Sequence, residues 1–315
     1  MFSRNAKPTM RTVLIVLAWS VVLAVGIALF LLGRFVASTE EVASFALSDT
    51  TTDLGLPRVA AGRSADLLSA FHGLEALPRL ANLACRGAKG QGGMPVIFST
   101  EIDLDTMQAG DFEVTTASGQ TGVMHCVSLL PATDPGEVRT VLLIGQLGPA
   151  DSDPPVRVEI SGNVHSIDGA LNFRGASVPV TPLAEGPSMI VAEVVDDWTL
   201  VGNLGPDRVR GSSCPAESTL QAVRVTWAGG VTLANGDEPG AAERDLYAIT
   251  VEAEDGTRRD VPPAALADLG DGDNNHMLCM DTADRPVSVS FPAGILTDPN
   301  DDLNPATTVD VTHPQ

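Results

Sequence analysis

MPVIFS (Met94–Ser99), DFEVTT (Asp111–Thr116), VMHCVSLL (Val123–Leu130) and VRTVLLIG (Val138–Gly145) decide the fold of this chain. Each is a short run rich in Val, Ile, Leu or Phe, and turn-forming clusters separate them: Ala117-Ser118-Gly119, then Ala132 to Gly136, then Pro149 to Pro155. Short apolar runs with such punctuation and little helix between them predict an antiparallel β-sandwich. The pattern continues through Val156–Ser161, Ser177–Val180 and Ser188–Val195. Asp196 to Pro215, with its Gly and Pro residues, predicts a boundary. Beyond it a second set follows: Thr219–Trp227, Asp245–Ala253, His276–Asp281, Val287–Phe291 and Thr307–Val311, with one short helical turn expected over Pro262–Leu269.

Working outward to the N-terminus, the Gly-rich linker Gly87–Gly93 is preceded by ADLLSAFHGLEALPRLANLA (Ala65–Ala84). Leu67, Leu68, Phe71, Leu74, Leu77, Leu80 and Leu83 recur there at three- and four-residue spacing, which predicts an amphipathic helix broken or kinked at Pro78. Residues 35–64 are rich in Ser, Thr, Ala and acidic side chains without a period and read as a stalk. Before them, Thr12–Leu32 (TVLIVLAWSVVLAVGIALFLL) carries no charge. A bilayer core needs roughly 20 apolar residues in a helix, and this run supplies them. Arg4, Lys7 and Arg11 precede the run and Arg34 closes it, so the expected topology is a single pass with the N-terminus cytoplasmic. Two readings stand. The run is an uncleaved signal-anchor that places the remainder in the periplasm or outside the cell, or it is a signal cut near Val36-Ala37-Ser38 to release a secreted protein. The expected division is therefore 1–34 tip and anchor, 35–64 stalk, 65–200 helix plus first β-sandwich, and 201–315 second β-sandwich.

Charge narrows the partners. Of 19 Lys+Arg and 40 Asp+Glu, the first 34 residues hold four basic side chains and no acidic one, so the part beyond carries 15 − 40 = −25. Such a surface repels the phosphates of nucleic acid and of anionic lipid, and nucleic acid is not an expected partner. The membrane is expected to be met through residues 12–32 alone, and a cell-envelope protein is the compatible macromolecular partner. All four cysteines, Cys85, Cys126, Cys214 and Cys279, follow the apolar run. An even count in an oxidising compartment reads as two disulfides, and Cys85–Cys126 with Cys214–Cys279 keeps each inside one half; free thiols or metal ligands are the alternative.

Pro95-Val96-Ile97-Phe98-Ser99-x-x-Ile102-Asp103-x-Asp105-Thr106, then Asp111-Phe112-x-Val114, then Gly119, resembles the opening of bacterial Ig-like domains of surface-layer and adhesin proteins. The resemblance covers residues 95–121. It implies an Ig-like sandwich and carries no activity. The rest of this half departs from the family in length and in having Cys126. A fainter echo lies in Val287-Ser288-Val289-Ser290-Phe291 and Asp301-Asp302-Leu303-Asn304-Pro305.

Two loops carry the chemistry worth testing. Asp268, Asp271, Asp273 and Asn275 crowd one Gly-containing loop; Asp298, Asn300 and Asp302 crowd another. Calcium takes six to eight oxygen ligands, which alternating Asp and Asn can supply, so calcium is the cofactor to test. Neither loop has EF-hand spacing, and the same residues serve equally as turn formers. His276-x-x-Cys279 lacks the second ligand pair of a zinc site. His125 and Cys126 are neighbours on an expected strand and so point to opposite faces. Hydrolase and dinucleotide fingerprints (G-x-S-x-G, H-E-x-x-H, the P-loop, G-x-G-x-x-G) do not occur. The expected role is a membrane-anchored structural or adhesion-type interaction module; the alternative is an extracytoplasmic hydrolase or glycan-active protein using the acidic residues of the second half. For that alternative, Asp271, Asp273, His276 and Asp298 should converge on a deep pocket.

Overall fold

Strand pairing follows the apolar runs. The computed structural model describes residues 43–44, 50–196, 198, 213–269 and 272–313. The apolar run Thr12–Leu32, most of the Asp196–Pro215 boundary and the candidate ligand Asp271 lie outside the described residues. Among the described residues no helix is long and apolar enough to cross a membrane.

The first half contains β1 (Ala43–Ser44), β2 (Val59–Ala60), β3 (Arg63–Ser64), β4 (Leu67–Phe71), β5 (Gly92–Phe98), β6 (Phe112–Thr116), β7 (Val123–Ser128), β8 (Thr140–Gln146), β9 (Pro155–Ile160) and β10 (Ser177–Thr181). Its main sheet runs β1-β7-β8-β5-β4-β10-β9-β6. β10 is the hinge of that order: Ser177 to Pro179 pair antiparallel with β9, and then Val180 and Thr181 pair parallel with Ala70 and Phe71 of β4. The sheet thereby folds into two layers around a core that includes Phe98, Phe112, Val114, Leu143, Val158 and Phe173.

The second half repeats the plan with β11 (Met189–Val195), β12 (Gln221–Trp227), β13 (Ala248–Glu252), β14 (Arg258–Val261), β15 (Ala265–Ala267), β16 (Asn275–Met280), β17 (Arg285–Phe291) and β18 (Thr307–Thr312). The order is β14-β13-β17-β18-β11-β12-β16-β15. Again the first strand pairs antiparallel with the second, and parallel with the last through Ala192↔Val311 and Glu193↔Thr312. β5 pairs antiparallel with β4 as β12 does with β11, and each buries six of its seven residues, so β12 answers to β5. The sequence echo at Val287–Phe291 falls on β17 and does not mark the corresponding strand.

Two expectations need correction. The amphipathic helix over Ala65–Ala84 is absent: Leu67–Phe71 is a strand paired with β5, and Arg79–Leu83 is a 3-10 turn. The leucine spacing spanned two unrelated pieces separated by Gly73 and Pro78, and Leu80 is left 74% exposed. Pairing with a buried neighbour strand outweighs helical periodicity in a run this short. Pro262–Leu269 holds β15 where a helical turn was expected, and the α-helix among the described residues is Ala241–Arg244, α1. Trp198, in the expected boundary, packs half-buried against the cluster around Cys214 and Cys279. The described part of residues 35–64 lies along the first half: Thr50 Oγ1 donates to Gln108, and Arg58 pairs with Asp66.

Both disulfides join the cysteines paired from sequence, Cys85–Cys126 and Cys214–Cys279. The acidic turn after Phe98 is a capping device: Asp103 accepts from the Asp105 amide, and buried Asp111 accepts from the Gln108 amide at 2.7 Å.

The second core is held by a polar chain. Trp227 Nε1 donates to the Tyr247 hydroxyl at 3.2 Å, and that hydroxyl lies 2.6 Å from His276 Nδ1. A hydroxyl already accepting from tryptophan donates to the histidine, which must then be neutral at Nδ1. Burial lowers the His276 pKa from 6.5 to about 4. The folded imidazole therefore stays neutral in a window where the unfolded one takes up a proton. Stability from this group is full above pH 6.5 and falls as pH drops toward 4, by about 3 kcal/mol in all. Proton-detected titration of the histidine resonances should show His276 without a midpoint above pH 5; a midpoint near 6.5 would reject the buried neutral assignment.

Candidate functional site

Among the described residues, buried charge gathers where the halves meet. The turn Asp134-Pro135-Gly136-Glu137, between β7 and β8, is closed on itself: the Glu137 amide donates to the Asp134 carbonyl at 3.0 Å, and Glu137 Oε2 accepts from the Asp134 amide at 3.1 Å. Glu101 Oε1 accepts from the Gly136 amide at 2.6 Å. Glycine is required at 136 for two reasons. Its φ is +90°, and a Cβ would overlap the guanidinium of Arg224.

Arg224 stands on β12 with a side chain only 3% exposed. Its Nη2 donates to the Pro135 carbonyl at 2.8 Å, and its Nη1 lies 3.6 Å from Glu193 Oε1 on β11. Glu193 Oε2 in turn accepts from Arg139 Nη2 of the first half at 3.0 Å. One glutamate of the second half is thus shared between arginines of both halves. Asn274 Nδ2 adds a 3.4 Å contact to Thr140 Oγ1 across the same seam. Beside it, Phe71 packs on the backbone of Gly229, and an apolar cavity of about 180 Å³ opens between Leu77, Leu130 and Leu142 on one side and Gly229 and Asn274 on the other.

Behind Arg224 the carboxylates gather. Asp134, Glu137 and Asp268 each place an oxygen within 4.8 Å of the others. Glu137 and Asp268 are each 1% exposed. Glu137 Oε1 and both oxygens of Asp268 accept no hydrogen bond from any donor among the described residues. Burial, and then the charges of Asp273 and Asp268, hold the Glu137 carboxyl well above its usual range, against the opposing pull of Arg224. Asp268 follows β15 and sits at φ +62°, a left-handed conformation uncommon outside glycine.

The candidate ligands read from sequence separate in space and role. Asp268 joins the seam cluster. Asp273 lies near enough to raise Glu137, but its oxygens also accept from the Asn275 amide at 2.7 Å and from Asn275 Nδ2 at 3.0 Å. Asn275 Oδ1 accepts from Thr226. Asp298 Oδ1 accepts from the amides of Asn300 and Asp302, both at 2.9 Å, and Asn300 Nδ2 donates to Asp302 at 2.7 Å, while Asp298 Oδ2 is buried without a donor among the described residues. Burial raises the Asp298 pKa. His276 faces the core, away from a ligand role, and Cys279 is in a disulfide. His125 bonds the Arg86 carbonyl at 2.8 Å. Asp134 and Glu137 were read only as part of a turn cluster; they stand over 130 positions before Asp268, and one sequence holds no signal for that meeting.

No protein-family model matches the chain, and no curated protein does. Among solved structures, the N-terminal part of the bacterial S-layer protein SbsC is similar to it at a TM-score of 0.27 and 11% identity, over 80% of this chain and 45% of that one. The chain thus spans less than half the length of that structure.

Proposed function

We propose that this protein is a membrane-anchored, extracytoplasmic structural or interaction module made of two Ig-like sandwiches locked into one body. The observation that carries the reading is the buried Arg139–Glu193–Arg224 bridge, which ties two consecutive sandwiches of like topology. The strand partners support the Ig-like reading: β4-β5-β8-β7 and β11-β12-β16-β15 run in one layer, β10-β9-β6 and β18-β17-β13-β14 in the other, and β4 with β10 and β11 with β18 are parallel. A seam of buried ion pairs and packed aromatic and glycine surfaces resists bending between the halves, as a spacer or presenting arm requires. Two disulfides suit an oxidising compartment. The uncharged run Thr12–Leu32 supplies the anchor, and the acidic surface suits a cationic or cation-bridged partner in the envelope rather than nucleic acid.

Localisation tests the reading directly. In cells stripped of any outer layer, protease added outside should digest a C-terminal epitope on the chain while a cytoplasmic marker survives, and the remnant should stay with the membrane pellet. Protection of the epitope until the cytoplasmic membrane is dissolved would overturn it.

A further inference from the structure

We propose that Asp134, Glu137 and Asp268 form a calcium site that bridges the two halves. The inference rests on the halves forming one body. It assigns to the seam a ligand set that neither acidic loop could supply alone.

Buried polar atoms are nearly always hydrogen-bonded, and each exception asks for an explanation. Three such atoms converge here. Glu137 Oε1 and both Asp268 oxygens are buried without a donor among the described residues, and they point at one another and at Asp134. An unpaired buried carboxylate is costly, and two facing each other more so. A proton on Glu137, shared with Asp268, neutralises one of the two facing groups and leaves the rest of the charge in place. Asp134, Glu137, Glu193, Asp268 and Asp273 are five carboxylates against the guanidinium groups of Arg139 and Arg224, and Glu193 already engages both arginines. A divalent cation would remove most of the remaining charge.

The donor set selects the ion. Oxygen-only carboxylate ligands favour hard cations such as calcium, magnesium and manganese over zinc or copper. Oxygens on opposite sides of a calcium ion, at about 2.3–2.6 Å each, stand about 5 Å apart, which accommodates three oxygens within 4.8 Å of one another. Magnesium demands a smaller and nearly ideal octahedron, which one glutamyl and two aspartyl groups fixed by separate backbone segments are poorly placed to give. Half-buried Asp134 leaves one side of the cluster open for entry and for water ligands. The turn that carries Asp134 and Glu137 is itself pinned by Arg224, so the ligands are held before the ion arrives.

The test uses the full chain in detergent micelles, freed of metal by chelator and titrated with calcium chloride. Calorimetry should find one ion per chain at the seam, and calcium at 10 mM should raise the melting temperature by about 5 °C for a body of this size. Magnesium should do so at least ~10-fold less effectively by concentration. Glu137→Gln and Asp268→Asn, which keep shape and remove charge, should abolish the calcium shift while leaving the chelated protein at least as stable as the parent. If the buried variants do not fold, Asp134→Asn at the half-buried edge should weaken binding ~10-fold or more. Asp302→Asn, in the C-terminal loop, should leave the shift intact. A parent chain whose melting curve ignores both calcium and chelator overturns the proposal, as does a shift that survives in Glu137→Gln and Asp268→Asn or one that Asp302→Asn removes. Protease accessibility in cells reads the localisation separately, so failure of one leaves the other standing.

Discussion

Arg224→Met should lower the unfolding free energy by about 3–5 kcal/mol, the scale on which removing one partner of a buried ion pair is felt. Methionine nearly fills the volume, so the loss is electrical. Glu193 would keep Arg139 but lose its second cation, and the Pro135 carbonyl would lose its 2.8 Å donor. The carboxyl of Glu137 would lose the one charge that lowers its pKa while the pressure from Asp273 and Asp268 stays. Urea unfolding in chelator, followed by tryptophan fluorescence, measures the effect. Limited proteolysis should then cut first in the connection at residues 182–188, because the seam would open before either core. A variant within about 0.5 kcal/mol of the parent, the range of ordinary surface changes, would show that the seam charges do not hold the halves together.

Trp227→Ala should cost a similar about 3–5 kcal/mol, but inside the second half alone. Trp227 is wholly buried at the end of β12, with its ring edge-on to Phe291 at 5.5 Å between centroids. Truncation leaves a void and also strips the Tyr247 hydroxyl of the donor at its back. Trp227→Phe weights the two contributions differently, since it keeps a six-membered aromatic ring in the site and loses the N–H with the rest of the indole. It should cost about 1–2 kcal/mol, the toll of a broken buried hydrogen bond with modest repacking. The measurement is a pair of urea curves on each variant with near-ultraviolet circular dichroism as a second probe. Equal losses for the two variants would mean that the hydrogen bond, and not packing, dominates that corner.

Much of the architecture was legible because strands announce themselves locally. β5, β7, β8, β9, β12 and β17 fall within a few residues of the apolar runs that predicted them, since each needs only a buried face and a turn at either end. The same locality misled at Ala65–Ala84, where leucines from a strand and from a 3-10 turn happened to share helical spacing. β14, reading Arg258-Arg-Asp-Val261, has one half-buried residue and three exposed ones and gave no apolar signal at all. It is a strand because β13 offers a free edge, which is a fact about the neighbour. Disulfide pairing was legible from cysteine count and half membership. The seam was not. Arg139, Glu193 and Arg224 look in sequence like any surface charges on strands, and only the docking of one half on the other converts them into buried partners. Asp268 stands in sequence in the company of Asp271 and Asp273, yet the carboxylates it gathers with belong to a turn in the other half.

The parallel contact between first and last strands in each half bears on how the molecule would carry load. Tension applied through the chain enters a half along its first strand and leaves along its last. Because β4 and β10 run side by side in the same direction, as do β11 and β18, the pull slides each pair lengthwise and strains their cross-links together. Strands meeting head to tail would instead unzip one bond after another. A body built this way yields late and abruptly under load.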